Sequence, residues 1–210
     1  MKNPLWKFFI LSAVVFSKEG NYINPIIPGA HPDPSICRVG DDYYIVNSSF
    51  EFFPGLPIHH SRDLVNWELV GHGLHREDQC NGEMNLVDVQ SDGGIHAPTI
   101  RYNKGTFYII TTNVYNRGDG TPGKMVNFII TAKKASGPWS KPHGIEGAPG
   151  IDPDIFFDDN GKVYFTGTHA PGDMNKNGIG EIWIQELNLK DWKLVGKRHT
   201  VWDGAFGCCT

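Results

Sequence analysis

GAHPDPSICRVGDDYYIV, residues 29–46, opens with an aspartate held between two prolines, Pro32 and Pro34. Each proline fixes its own φ and steers the residue before it toward extended backbone, so Asp33 is presented with little freedom. The rest of the stretch reads as a strand, a Gly-Asp-Asp turn and a second strand rich in aromatic and β-branched residues, which puts Asp33 at the mouth of a hairpin. Taken alone, this is an ordinary turn ahead of a strand, because Asp and Pro are common turn residues.

Repetition gives it weight. Residues 97–108 read APTIRYNKGTFY and residues 152–164 read DPDIFFDDNGKVY, with the same succession of Pro, a polar residue, Ile, a short strand, a turn and an aromatic strand. Asp33 and Ala97 stand 64 residues apart, and Ala97 and Asp152 stand 55 apart. The later half of each unit repeats too: residues 58–71 (IHHSRDLVNWELVG), 128–141 (FIITAKKASGPWSK) and 182–197 (IWIQELNLKDWKLVGK) each close a strand with a turn and a Trp. Antiparallel units recurring at about 50 residues are the mark of a β-propeller. The sequence therefore predicts an all-β fold with three visible blades.

Composition agrees with this. The 210 residues are 40% hydrophobic and include 25 glycines, enough for a core and for the turns an all-β fold needs. Net charge is −4 and no basic run or stripe tracks phosphates, which argues against nucleic acid as a partner. Residues 1–20 carry Lys2 and Lys7 ahead of an apolar run from Phe8 to Phe16, too short to span a bilayer. They read as a secretory signal or an N-terminal extension, with residues 21–210 as the propeller domain. The first reading implies a secreted protein and no membrane partner; the second leaves a cytoplasmic location open. Cys37, Cys80, Cys208 and Cys209 match no zinc spacing, so no metal site is read, and the pairing state of Cys208 and Cys209 stays open. Cys37 falls on the inner strand of the first unit, where a small buried hydrophobe fits.

Asp152 takes the place of Asp33 in the third unit, and Asp154 that of Ser35. Two carboxylates at the same point of non-adjacent blades converge on one end of a channel, which suits a hydrolase whose acids flank a bond. Asp154 shares a strand face with Asp152 if the backbone is regular and is its rival for the role. His96, just ahead of Ala97, comes to the same mouth, as does His169 at the end of the strand following Asp152. Phe50, Phe52 and Phe53 form a candidate platform for an apolar sugar face, although Phe52 and Phe53 fit equally as a hydrophobic plug between blades. Asp158 and Asp159 fall in a hairpin turn. Residues 72–93 and 113–126 read as long connecting loops.

Together, HPDPSI, SSFEFFPG, HHSRDLVNW, GGIHAPTIRY and GIDPDIFFDDNGKVYF closely resemble the family 43 glycoside hydrolases, in particular the β-xylosidase and α-L-arabinofuranosidase branch, over about residues 22–207. The resemblance implies a five-bladed β-propeller, of which about three blades are present, and inverting hydrolysis of xylose- or arabinose-containing plant polysaccharides. A xylo- or arabino-oligosaccharide is the implied ligand. By the same resemblance Asp33 matches the general base that activates water. Asp152 matches the acid that orients the proton donor and tunes its pKa, and Phe50 matches an aromatic at the subsite for the terminal sugar. His96 falls where many relatives have Trp, and His169 corresponds only loosely to a subsite residue.

The family's proton donor is a Glu in an EGPH-like motif on the fourth blade, shortly after a segment similar to TVWDGAFG (200–207), and no such motif occurs in this chain. Glu51, Glu181 and Glu186 are poorly placed to substitute. No cofactor is implied; some relatives hold a structural calcium in the channel. The expectation is a fragment with a base but no general acid, very weak or inactive by itself. A non-catalytic sugar-binding propeller and a fragment without function are the alternatives. The motifs do not distinguish xylose from arabinose.

Overall fold

The computed structural model describes residues 22–84, 86, 89–115, 120, 122–169 and 180–202. The expected signal or extension at residues 1–20, and Cys208 and Cys209, lie outside the described residues.

Among the described residues, twelve strands form three four-stranded sheets, each an antiparallel meander in chain order. The first contains β1 (Ser35–Val39), β2 (Asp42–Val46), β3 (Gly55–Ser61) and β4 (Glu68–Leu74). The second contains β5 (Gly94–Asn103), β6 (Thr106–Tyr115), β7 (Lys124–Ala132) and a two-residue β8 (His143–Gly144). The third contains β9 (Ile151–Phe157), β10 (Val163–His169), β11 (Glu181–Asn188) and β12 (Lys193–Trp202). The three repeats read from the sequence thus begin the innermost strands β1, β5 and β9, and β5 packs beside both β1 and β9.

Sequence pattern follows burial. In β6 and β7 residues 109–113 and 127–130 are buried on successive positions, because the middle sheet is covered on both faces. Ile109, Phe128 and Ile130 face the first sheet and pack with Val46, Leu56, Ile58 and Leu74. Ile110 and Ile129 face the third and pack with Ile155, Phe165, Trp183 and Leu187. Each such side chain contributes about 1.5–3 kcal/mol when fully removed from water.

The repeated turn-Trp serves different ends in the three sheets. Trp67 and Trp139 each donate their indole N–H to a carbonyl in the preceding turn, of Leu64 and Ala135 respectively, at 3.1 Å. Trp192 instead stacks on His143 at 4.6 Å.

Three loop expectations change. Of the connection expected over residues 72–93, the first residues continue β4 to Leu74 and two 3₁₀ turns follow, Glu77–Gln79 and Gly82–Met84. Gln79 is 1% exposed and organises this segment: its Nε2 donates to the carbonyls of Gly73 and Ser140, and its Oε1 accepts from His75 and Arg76 N–H. The loop expected over 113–126 is shorter, since Val114 pairs with Met125 and Tyr115 with Lys124, leaving Gly and Pro to the tip. Phe52 and Phe53 are 68% and 50% exposed, so neither is a plug between sheets.

Candidate active site

Asp33, Ala97 and Asp152 all adopt left-handed backbone, with φ of 50°, 40° and 57°. Each precedes a proline, where helical conformations are disfavoured, and an L-residue in this region costs about 1–2 kcal/mol. The pairing is broken at the same places. The β5–β6 register shifts between His96 and Thr99, and the β9–β10 register shifts opposite Asp152, between Thr166 and Thr168. A left-handed residue turns its side chain and its N–H out of the ladder, so the repeat delivers Asp33 and Asp152 off the strand rather than along it. Non-glycine residues held this way concentrate at functional sites.

The loop bearing Asp33 is stitched to the end of β2. Asn47 Nδ2 donates to the carbonyls of His31 (2.9 Å) and Pro32 (3.1 Å), and Ser48 N donates to the Pro32 carbonyl at 3.1 Å. Ser48 Oγ donates to Asp33 Oδ2 at 2.5 Å, and Ala97 N donates to Ser48 Oγ at 2.7 Å. The next residues bind the second sheet: Ser49 N and Phe50 N donate to the Ile95 carbonyl, and Ile95 N donates back to Phe50 O at 2.9 Å. This close approach requires Gly94. Its φ is +83°, and a Cβ there would lie 2.2 Å from Phe50 O. Phe50 is thereby brought against His96, ring edge to ring face at 4.9 Å.

Asp152 has a carboxyl pushed above the usual carboxylate range. Burial is the main cause and the negative charge of Asp33 the second, with His96 pulling the other way. Asp33, Asp152 and His96 therefore lie within electrostatic reach of one another. His96 Nδ1 faces the Gly94 carbonyl at 3.0 Å and so carries a proton there, while Thr111 Oγ1 donates to the His96 carbonyl at 2.6 Å.

Asp154 is committed elsewhere. Arg101 Nη2 donates to its Oδ2 at 2.6 Å, and its Oδ1 accepts Ile155 N–H at 2.6 Å. The irregular backbone at Asp152 also breaks the strand face the two aspartates would share. His169 ends β10 with its backbone opposite Glu181; its side chain lies outside the described residues.

The model of the glycosyl hydrolases family 43 matches residues 22–209. The chain belongs to this family.

Among similar proteins is one named xylosidase/arabinosidase from Butyrivibrio fibrisolvens, 50% identical over 187 residues, covering 87% of this chain and 33% of the relative. Another, named xylan 1,3-beta-xylosidase, from Vibrio sp, is 44% identical over 89% of this chain and 34% of its own length. The crystal structure of xylan beta-1,4-xylosidase from Bacillus halodurans C-125 superposes with a TM-score of 0.76 at 40% identity, covering 88% of this chain and 34% of that one. This family 43 chain thus spans about a third of the length of the curated relatives it matches. Its three sheets are three blades of a propeller.

Within the family 43 chain, sequence reasoning overlooked Ser48 and Arg101. Ser48 stands in the quoted SSFEFFPG motif, but its partner comes from another blade 49 residues away. The Arg in GGIHAPTIRY shows no charge partner nearby in sequence, and Asp154 is 53 residues on. A cleft of about 380 Å³ (Tyr44, Tyr102, Phe107, Lys133) lies between the first and second sheets and one of about 490 Å³ (Glu83, Lys124, Asn127, Ile145) lies against β7, and neither is lined by Asp33 or Asp152. Among the described residues no three His, Cys, Asp or Glu side chains are grouped to hold a metal ion.

Proposed function

We propose that the chain supplies the base and the acid-tuning carboxylate of an inverting glycoside hydrolase that acts on xylose- or arabinose-containing plant polysaccharides and oligosaccharides. The observation that carries this is the meeting of Asp33 and Asp152, 119 residues apart, in one electrostatic neighbourhood, each turned off its strand by a left-handed backbone.

In this reading Asp33 accepts a proton from a water as that water attacks the anomeric carbon, on the face opposite the departing group. An acid protonates the leaving oxygen, and base and acid stand about 6.5–9.5 Å apart so that the water fits between. Asp152, when ionised beside that acid, raises its pKa by like-charge repulsion and keeps it protonated. No residue of this chain is assigned as the acid; Glu186, for one, is paired with Lys162 at 2.7 Å. Phe50, held edge-on by His96, supports an apolar sugar face at the mouth. The relatives' names, which divide between xylosidase and arabinosidase activities, support a pentose at the cleaved bond. An extracellular polymer as substrate accords with secretion, which the apolar run Phe8–Phe16 supports.

The test is a chimera in which residues 22–202 replace the matching third of the Butyrivibrio fibrisolvens relative. It is expected to release xylose or arabinose from nitrophenyl glycosides, and Asp33→Asn is expected to lower kcat about 10²–10⁴-fold. Unchanged turnover in that variant would overturn the assignment. Oligosaccharide binding by calorimetry with no hydrolysis would identify a sugar-binding propeller instead.

A further inference from the structure

A carboxylate that serves as a base has two chemically equivalent oxygens, and rotation about χ2 exchanges them at little cost because that torsion has broad wells. Something must decide which oxygen faces the water. The structure around Asp33 contains such a device, and the second blade builds it from the position that carries no acid of its own.

Ser48 is 3% exposed. Its hydroxyl has one proton to give and lone pairs to receive with. Ala97 N–H occupies a lone pair at 2.7 Å, and the proton goes to Asp33 Oδ2 at 2.5 Å, a separation typical of a hydroxyl bonded to a charged carboxylate. The chain thus has a fixed direction, from amide to hydroxyl to carboxylate. Ala97 N–H is free to start it because the left-handed turn at φ 40° and the register break between His96 and Thr99 take that amide out of the β5–β6 ladder. Ala97 occupies the repeat position filled by Asp33 in the first blade and Asp152 in the third. The middle copy has no carboxyl but the same turned backbone, whose N–H serves the first copy.

We infer that Ser48 is a positioning residue that, driven by the Ala97 amide, holds Asp33 Oδ2 and thereby assigns proton acceptance from water to Oδ1. The inference rests on the hydrolase reading for its consequence, and on the two hydrogen bonds alone for its geometry. A Ser48 that merely filled the seam between blades would leave the Ala97 amide insensitive to the charge on Asp33, and its loss would disturb substrate binding and turnover alike.

Both parts can be tested separately. In the ¹⁵N–¹H spectrum of the 210-residue chain, Asp33→Asn is expected to shift the Ala97 amide proton, and the same change in a Ser48→Ala background is expected to leave it in place. An equal response in the two backgrounds would overturn the chain of hydrogen bonds. In the chimera, Ser48→Ala is expected to lower kcat about 10- to 100-fold, the loss of one hydrogen bond to a charged group, with KM within about twofold. Ser48→Thr, which keeps the hydroxyl, is expected to restore most of that loss. Equal changes in kcat and KM, or unaltered kcat, would overturn the positioning role. Failure of the hydrolase reading would appear in the turnover of Asp33→Asn, which the amide experiment does not use.

Discussion

Asp33, Ala97 and Asp152 are left-handed L-residues ahead of a proline at the same point of three successive blades, and such backbone costs about 1–2 kcal/mol at each. At Ala97 the side chain itself does nothing that the strain requires; only the amide is used. Ala97→Gly keeps that amide and removes the Cβ penalty, so it is expected to stabilise the chain by about 1 kcal/mol in urea unfolding. A neutral or destabilising result would mean that the turned backbone is not strained. At Asp152 burial and the Asp33 charge raise the folded pKa above the unfolded value. The stability linked to its protonated form is therefore complete below the ordinary value of 3.8 and lost as pH rises through the raised one. Asp152→Asn, which cannot ionise, is expected to melt above the parent at pH 7, with the difference vanishing below pH 3.8. A difference that is flat with pH would contradict the raised pKa of Asp152. The two acids were legible because each is spelled out locally as Asp-Pro. Ser48 was not, because what defines it is a bond to Ala97, 49 residues later on another blade.

Strands and their turns were legible wherever a segment carries its own pattern, as in β1–β2 and β9–β10. Connections were not, because their order comes from single buried groups: Gln79, in a stretch that looks like a polar loop, bonds two backbone segments at once. The outer strands of the first blade are joined by a partly buried histidine. His60 Nε2 lies 2.7 Å from Asp42 on β2, and its Nδ1 lies 3.1 Å from Glu68 on β4, while Arg62 also holds Asp42 at 2.9 Å. Asp42, first, and Glu68 raise the His60 pKa against the opposing effect of burial. His60 and Arg62 keep Asp42 below the usual range. A raised histidine contributes stability that is full below its unfolded value of 6.5 and lost as pH climbs through the folded one. The depressed Asp42 sets the acid limit, since its contribution is present above 3.8 and lost as pH falls. His60→Ala is therefore expected to cost most stability near pH 6 and less near pH 9, read from urea midpoints at the two values. A cost that is equal at the two pH values would show that the ring acts by packing on Tyr44 rather than by charge.

At the scale of the whole chain, the second blade joins the other two, since β6 and β7 place alternate residues in different cores. A strand pair that faces neighbours on both sides reads as an unbroken apolar run, so the sequence revealed that these strands are buried without revealing which residue serves which seam. Ile109 belongs to the seam with the first blade and Ile110 to the seam with the third, and both are fully buried. Each truncation to Ala is expected to cost about 2–5 kcal/mol through lost burial and the cavity left behind. The consequences should nonetheless separate in space. Blades contact only their neighbours, so stability is close to a sum of blade and seam contributions, and a weakened seam frees what lies beyond it. Ile110→Ala is expected to raise amide hydrogen exchange across β9–β12, where Phe165, Trp183 and Leu187 lose their support, while β1–β4 stay protected. Ile109→Ala is expected to do the reverse. Because Asp152 rides on the third blade and Asp33 on the first, Ile110→Ala should also weaken the influence of Asp33 on Asp152. Uniform loss of protection in both variants would show that the three blades unfold as a single block, in which case the two acids are held together by the whole arc and not seam by seam.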